Sequence, residues 1–199
     1  MTHLKAKDME VRTAPLQDVK DLVKQFHYTR GGSNTATYRH GLFRRGDDLL
    51  LGAAWWIPPT KSAALSVSED WRGVLALTRL VVVPGMPTNS ASYLLGRSLR
   101  AIRREGRFHT LLTYADTGEG HRGGIYHATN WEYVGLTKGD PRYIDPETGR
   151  HVARKAGGVT RTRSEMESLG YVWTPPTPKH KFVKRVRSTD TTNNESEDE

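Results

Sequence analysis

Residues 77–116 constrain the fold more than any other stretch of the chain. Leu77–Val83 reads Leu-Thr-Arg-Leu-Val-Val-Val, and its apolar end is continuous rather than alternating. That pattern suits a buried strand able to pair in parallel. Pro84–Thr88 is a tight connector, and Asn89 or Ser90 can cap a helix running to about Arg104. Ala91, Leu94, Leu95, Ser98, Leu99 and Ile102 fall on one face of that helix. His109–Ala115 is a second core strand ending at Asp116, followed by a short polar loop, a helix over Gly123–Thr129 and a strand over Trp131–Leu136. Strands alternating with helices give an α/β class with a mixed sheet.

The flanks extend this pattern. Met9–Val11 is a short strand, and Pro15 opens a helix with Leu16, Val19, Leu22, Val23 and Phe26 on one face. That helix runs into His27-Tyr28, and residues 30–37 read as a loop. His40–Arg44 and Leu49–Ile57 flank the turn cluster Arg45–Asp48 as a hairpin. Adjacent strand residues face opposite sides, so at most one of Trp55 and Trp56 enters a single-sided core. Residues 60–76 and 138–175 read as loop-rich insertions, although Tyr143–His151 has a hairpin pattern and Ser164–Leu169 that of a helix stopping at Gly170. Lys179–Val186 is a final basic strand. The expected organisation is one domain over 1–187 and a disordered acidic tail over 188–199.

Composition narrows the function classes. The 199 residues include no cysteine, which excludes a disulfide framework, a thiolate zinc site and a Cys nucleophile. No apolar run approaches the roughly 20 residues that span a bilayer, and Met1–Arg12 has no signal-peptide core, so the expectation is a soluble intracellular protein. The tail from Ser188 holds five acids and no base. Residues 1–187 therefore carry 30 bases against 17 acids, a charge of +13 that favours a polyanion such as nucleic acid or a cofactor phosphate. A basic but unpartnered surface is the alternative.

The connector after Val83 leads a core strand into a helix N-terminus, where free N–H groups and the helix dipole favour phosphate. Gly85 permits close backbone approach, and Ser90 and Ser92 can add hydroxyl donors. A plain capped connector is the other reading. It is neither a Walker loop nor GxGxxG. Arg79 inside an apolar strand needs a ligand or a partner, and an ion pair with Asp116 is one option. Polar groups also gather at strand and helix ends: His27-Tyr28, Asp116 and Tyr126-His127. There His offers a base near neutral pH, Asp orients it or acts itself, and Tyr can donate a proton. The same His, Asp and two Tyr have the N and O donors that suit iron or another first-row metal. His121 and His127 lack HExxH spacing, and GxSxG is absent.

The set of motifs resembles a known family. The strand–connector–helix–strand over 77–116 looks like the acyl-CoA-binding core of the GNAT acyltransferase fold. Phe26-His27-Tyr28, residues 77–82, residues 89–96, the long Thr113–Trp131 stretch and Pro178–Val183 resemble the bacteriophage Mom family of DNA-modifying proteins. The resemblance implies conversion of the exocyclic N6 amine of adenine in DNA to a methylcarbamoyl form, which protects phage DNA from host restriction in the host cytoplasm. Acetyl-CoA is the implied cofactor, with Fe(II) as a second. Double-stranded DNA, with the target base flipped out of the stack, is the implied partner. Carried onto this chain, His27, Tyr28, Asp116 and Tyr126 surround the chemistry or the metal. Arg79, Val81, Gly85, Asn89, Ser90 and Ser92 fall at the acetyl-CoA site. The usual GNAT Gln/Arg-x-x-Gly-x-Gly/Ala loop is reduced here to Gly85, and His127 stands where a Gln is expected. Tyr38, Trp55, Trp56 and Trp131 are candidates for stacking on bases. Arg103-Arg104, Arg150–Lys155, Arg161–Arg163 and Lys179–Arg187 are candidate backbone grips. Two other readings are a generic GNAT N-acetyltransferase of a protein or small amine and a non-catalytic DNA-binding protein.

Overall fold

Trp55 and Trp56 are both fully buried, which a sheet covered on one face does not allow for adjacent strand residues. In the computed structural model, which describes residues 5, 8–29, 31–139, 142–149, 151–156 and 158–186, the sheet is covered on both faces. Its strands are β1 (Met9–Thr13), β2 (Tyr38–Arg44), β3 (Leu50–Ile57), β4 (Val74–Val82), β5 (Thr110–Asp116), β6 (Glu132–Leu136) and β12 (Lys179–Arg185). Their order is β1-β2-β3-β4-β5-β12-β6. Pairing is antiparallel from β1 to β4 and parallel between β4 and β5.

Helix α1 (Leu16–Phe26) lays Val19, Leu22 and Val23 against Trp55, Phe43, Ala53 and Val81. Helix α3 (Ser90–Glu105) lies on the other face, where the Trp56 indole N–H donates to Ser98 Oγ at 2.8 Å. Ser98 also bonds Nδ1 of the buried His40, and Trp56 stacks on Trp131. The two tryptophans thus anchor two half-cores, so the expectation that only one is buried fails because both α1 and α3 pack on β3. Tyr38 stacks on His40 and meets Phe108 edge-on, which places its ring in packing rather than on a nucleic-acid surface.

The stretch 60–76 is more ordered than its sequence indicates. Thr60 caps α2 (Lys61–Leu65) by accepting from Ala63 N, a 3-10 turn spans Trp71–Gly73, and β4 already begins at Val74. Ala64, Val74, Leu112 and Val183 form a second core cluster.

The chain divides into two compact units, the first comprising residues 1–114, 123–134 and 181–199 and the second 115–122 and 135–180. The second has a three-stranded antiparallel sheet of β7 (Arg142–Ile144), β8 (His151–Val152) and β11 (Val172–Thr174), with β7 in the middle. It also holds the small hairpin β9 (Lys155–Ala156) and β10 (Val159–Thr160). Helix α5 (Arg163–Ser168) starts with a full capping box between Thr162 and Glu165 and buries Met166. The hairpin and the helix expected at 143–151 and 164–169 are both present. No helix among the described residues is long and apolar enough to cross a membrane. The expected tail over 188–199 lies outside the described residues.

Candidate active site

Strands β4 and β5 part company half-way along. Their parallel pairing runs from Val74↔Thr110 to Leu77↔Thr113, and β4 then continues to Val82. Thr113 Oγ1 donates to the Leu77 carbonyl at 3.1 Å and closes the last rung. At the same place the register against β3 slips: Trp56 pairs with Leu77 and Trp55 with Arg79, so Thr78 is bulged out. Val83 N–H bonds the Leu51 carbonyl on the β3 side. By strand alternation the main chains of Val81 and Arg79 also face β3, and those of Leu80 and Val82 face the opened edge. The main-chain groups of Leu80 and Val82 are therefore the ones that face the opened edge. Val81, expected at the cofactor, buries its side chain in the α1-face core.

Tyr126 reaches the base of this opening. It sits on the short helix α4 (Gly124–Ala128), is buried, and packs against Trp131 and Phe182. Its hydroxyl is in hydrogen-bond reach of the Thr113 side chain. Burial pushes the Tyr126 phenol up, opposed only by the Thr113 hydrogen bond, so it is a proton donor at neutral pH. Beside it the Trp131 indole N–H is buried with no hydrogen-bond partner among the described residues.

His27 and Tyr28 follow α1 and stack on each other with ring centroids 4.5 Å apart. His27 Nδ1 lies 3.2 Å from the Thr29 backbone N–H and 2.9 Å from the Thr29 hydroxyl. A backbone N–H only donates, so Nδ1 accepts and the neutral ring carries its proton on Nε2. The chain beyond it is clasped from the sheet: Arg79 Nε donates to the Gly31 carbonyl at 2.8 Å, and Gly32 lies so close to the Trp55 ring that an added Cβ would meet it at 2.8 Å.

The connector behaves as expected in its main chain and not in its hydroxyls. Gly85 has φ +83°, and an added Cβ there would meet nothing within 4 Å, so the backbone is open to approach. Asn89 occupies the N-cap position without a side-chain cap bond, which leaves the first turn of α3 to its own N–H groups and dipole. Ser90 is turned inward toward Met9, and the Ser92 hydroxyl donates to the Asn89 carbonyl at 2.9 Å. The donors Ser90 and Ser92 were expected to supply are thus already committed. The site fits an acyl-CoA through two main-chain surfaces, the opened edge of β4 and the start of α3.

Asp116 belongs to the second unit and is 1% exposed. Its carboxylate takes hydrogen bonds from Arg142 Nη2 and from Gly118 N at 3.0 Å, with Lys179 Nζ at 3.8 Å. Burial alone would raise this carboxyl, but the Arg142 and Gly118 hydrogen bonds and the charges of Arg142 and Lys179 together hold it below the usual carboxylate range. The optional ion pair between Arg79 and Asp116 is absent, because Arg79 bonds the carbonyls of Gly31 and Thr78. Asp116 is already engaged by Arg142, with Lys179 nearby. Among the described residues no group of three or more His, Cys, Asp or Glu is placed to hold a metal ion.

Sequence comparison decides the family. The Mom protein family matches residues 8–185. The chain belongs to the Mom family. A relative of this Mom-family chain, the methylcarbamoylase mom of Escherichia phage Mu, is 26% identical over 155 residues, covering 76% of this chain and 64% of its own length. The Mom-family chain thus spans a little under two thirds of that relative. Its fold is that of the GNAT N-acetyltransferases. The ribosomal-protein-S18-alanine N-acetyltransferase of Escherichia coli superposes with a TM-score of 0.56 at 9% identity, over 94% of this chain and 99% of the other. YncA of Salmonella typhimurium, solved with its cofactor acetyl-CoA, gives 0.53 at 10% identity, over 93% and 98%.

Several site residues escape a reading of the sequence. Thr113 is the clearest, and a hydroxyl inside the apolar run of β5 is the signal that marks it. Arg142 and Lys179, the partners of Asp116, lie far from it along the chain, and no local pattern announces them.

Proposed function

We propose that this chain is a phage DNA-modifying enzyme that converts the N6 amine of adenine to a methylcarbamoyl derivative, uses acetyl-CoA, and protects phage DNA from restriction inside the host cell. The family match over residues 8–185 carries this reading. The phage Mu relative and the acetyl-CoA-bound structural neighbour support it. When bound, acetyl-CoA would supply an activated two-carbon acyl unit and a thiolate leaving group; acyl transfer to N6 alone yields an acetyl adduct, so the methylcarbamoyl product requires a further nitrogen donor besides acetyl-CoA.

The chain's own groups have distinct tasks in this proposal. The main-chain N–H groups of Leu80 and Val82 on the opened edge hold the cofactor's polar groups and stabilise negative charge on the acyl oxygen. The first turn of α3, behind Gly85 and Asn89, holds its phosphates. Tyr126, kept protonated by burial, is the group placed to give a proton to the departing sulfur. Thr113, which donates to Leu77, orients the Tyr126 hydroxyl. The adenine amine is a weak nucleophile because its lone pair is delocalised into the ring, and His27 and Tyr28, stacked after α1, are the side chains that meet it. Asp116 has a positioning role in the second unit. A duplex base must be flipped out to reach such a site.

The test is mass spectrometry of nucleosides from plasmid DNA of cells expressing the protein or Tyr126→Phe. A modified deoxyadenosine with the unaltered protein, reduced by at least about 100-fold in the variant, is expected. Unmodified DNA from soluble protein that binds acetyl-CoA would instead favour an N-acetyltransferase of another amine.

A further inference from the structure

Arg79 stands where a cofactor contact is expected, and its surroundings give it a different task. It pairs across the sheet with Trp55, so the two side chains share a face. Trp55 packs with Val19, Leu22 and Val23, which makes that the α1 face. Helix α3, whose first turn is the phosphate site, covers the opposite face. Arg79 therefore points away from that helix.

Two of its N–H donors bond main-chain carbonyls. Nε donates to the Gly31 carbonyl at 2.8 Å and Nη1 to the Thr78 carbonyl at 2.6 Å. The first carbonyl is in the loop after His27-Tyr28, and the second is in the bulge at which β4 leaves β5. One rigid guanidinium thus ties the loop to the strand that frames the opening. The same loop is held by the Trp55 indole N–H, which donates to the Thr35 carbonyl at 3.1 Å, and by the contact of Gly32 with the Trp55 ring. Tyr28 lies within electrostatic reach of the Arg79 charge.

We propose that Arg79 is a positioning residue that fixes the His27–Gly31 loop against the Thr78 bulge, and that acetyl-CoA is held without it. The inference deepens the DNA-modifying reading and rests on it for its catalytic readout. A lysine keeps the charge and the stem but offers one donor group, so it restores only part of the clasp. A methionine keeps the stem and removes both bonds.

The experiment compares the full chain with Arg79→Met and Arg79→Lys in three measurements. Hydrogen exchange at Thr29 and residues 31–35 is expected to quicken by about tenfold or more in Arg79→Met, less in Arg79→Lys, with β3 and β4 amides unmoved. Calorimetric titration with acetyl-CoA is expected to give an unchanged Kd. Steady-state DNA modification is expected to lose at least about tenfold in kcat with the KM for acetyl-CoA retained, because a small misplacement of an orienting group costs that much. Weakened acetyl-CoA binding with unchanged loop exchange overturns the inference and makes Arg79 a cofactor contact. If the methionine variant does not fold, the lysine variant carries the same comparison. DNA left unmodified by the unaltered protein removes the DNA-modifying reading, while exchange and cofactor affinity still decide the role of Arg79.

Discussion

His40, Ser98 and Trp56 form a polar seam inside an otherwise apolar layer. Ser98 accepts from the Trp56 indole and meets His40 Nδ1, so one hydroxyl satisfies two large side chains. Burial drives the His40 pKa down to about 4, with only Glu105 opposing. The folded state therefore prefers neutral His40, and the unfolded chain binds the extra proton between pH 6.5 and about 4. Stability contributed by this residue is complete above pH 6.5 and falls as the pH drops toward 4, by about 3 kcal/mol in all. Urea unfolding at pH 7 and pH 4.5 should show this loss in the unaltered protein and much less of it in His40→Asn. Asp116 acts in a lower window: its depressed pKa means that its contribution persists until its carboxylate is protonated, below the ordinary carboxylate range. Removing either partner from a buried charge pair leaves an uncompensated ion, so Asp116 matters to the second unit whatever else it does.

At the scale of elements, the proposed function asks two things of α3 whose demands conflict. Its N-terminus is stabilised by any negative charge, whether a cofactor phosphate or a side chain. Ser92→Asp should therefore stabilise the helix by a few tenths to about 1 kcal/mol, while weakening acetyl-CoA binding by about tenfold or more through repulsion of the phosphates. A thermal melt and a calorimetric titration of the same variant read the two effects, and opposite signs are the expected result. Much of this level was legible in the chain. The periodicity of α1 and α3, the apolar runs of β4 and β5 and the Pro-Glu-Thr-Gly turn at 146–149 all mark elements that form. What was not legible depends on contacts distant in sequence. The bulge at Thr78 arises from register against β3. The inward turn of Ser90 depends on Met9, and the commitment of Asp116 depends on Arg142 and Lys179. A strand reading gives alternation but not which edge is open, which is why Val81 was expected where Leu80 and Val82 stand.

For the whole molecule the decisive quantity is charge. Residues 1–187 hold +13, and residues 188–199 reduce the chain to +8. If duplex DNA is the partner, the acidic segment competes with phosphates for the basic surface. Deleting residues 188–199 should raise non-specific duplex affinity about three- to tenfold at low salt and steepen its fall with added salt. Fluorescence anisotropy across a salt series checks this, and identical curves would reject the competition. Some basic side chains are already engaged within the first unit. Lys184 bonds the Thr129 and Asn130 carbonyls, and Arg185 bonds Thr110 and Val67. Arginines on the outer side of α3, such as Arg100 and Arg104, are exposed.

The parting of β4 from β5 has a consequence beyond ligand binding. A strand edge left open within a sheet invites the backbone of another chain, and long flat edges are the usual seeds of aggregation. Here the edge starts beside a kink, the Thr78 bulge in the β3–β4 pairing. Bulges and charges are the devices by which proteins blunt such edges. The kink that parts β4 from β5 thus also bends the opened edge away from the flat geometry another chain would pair with.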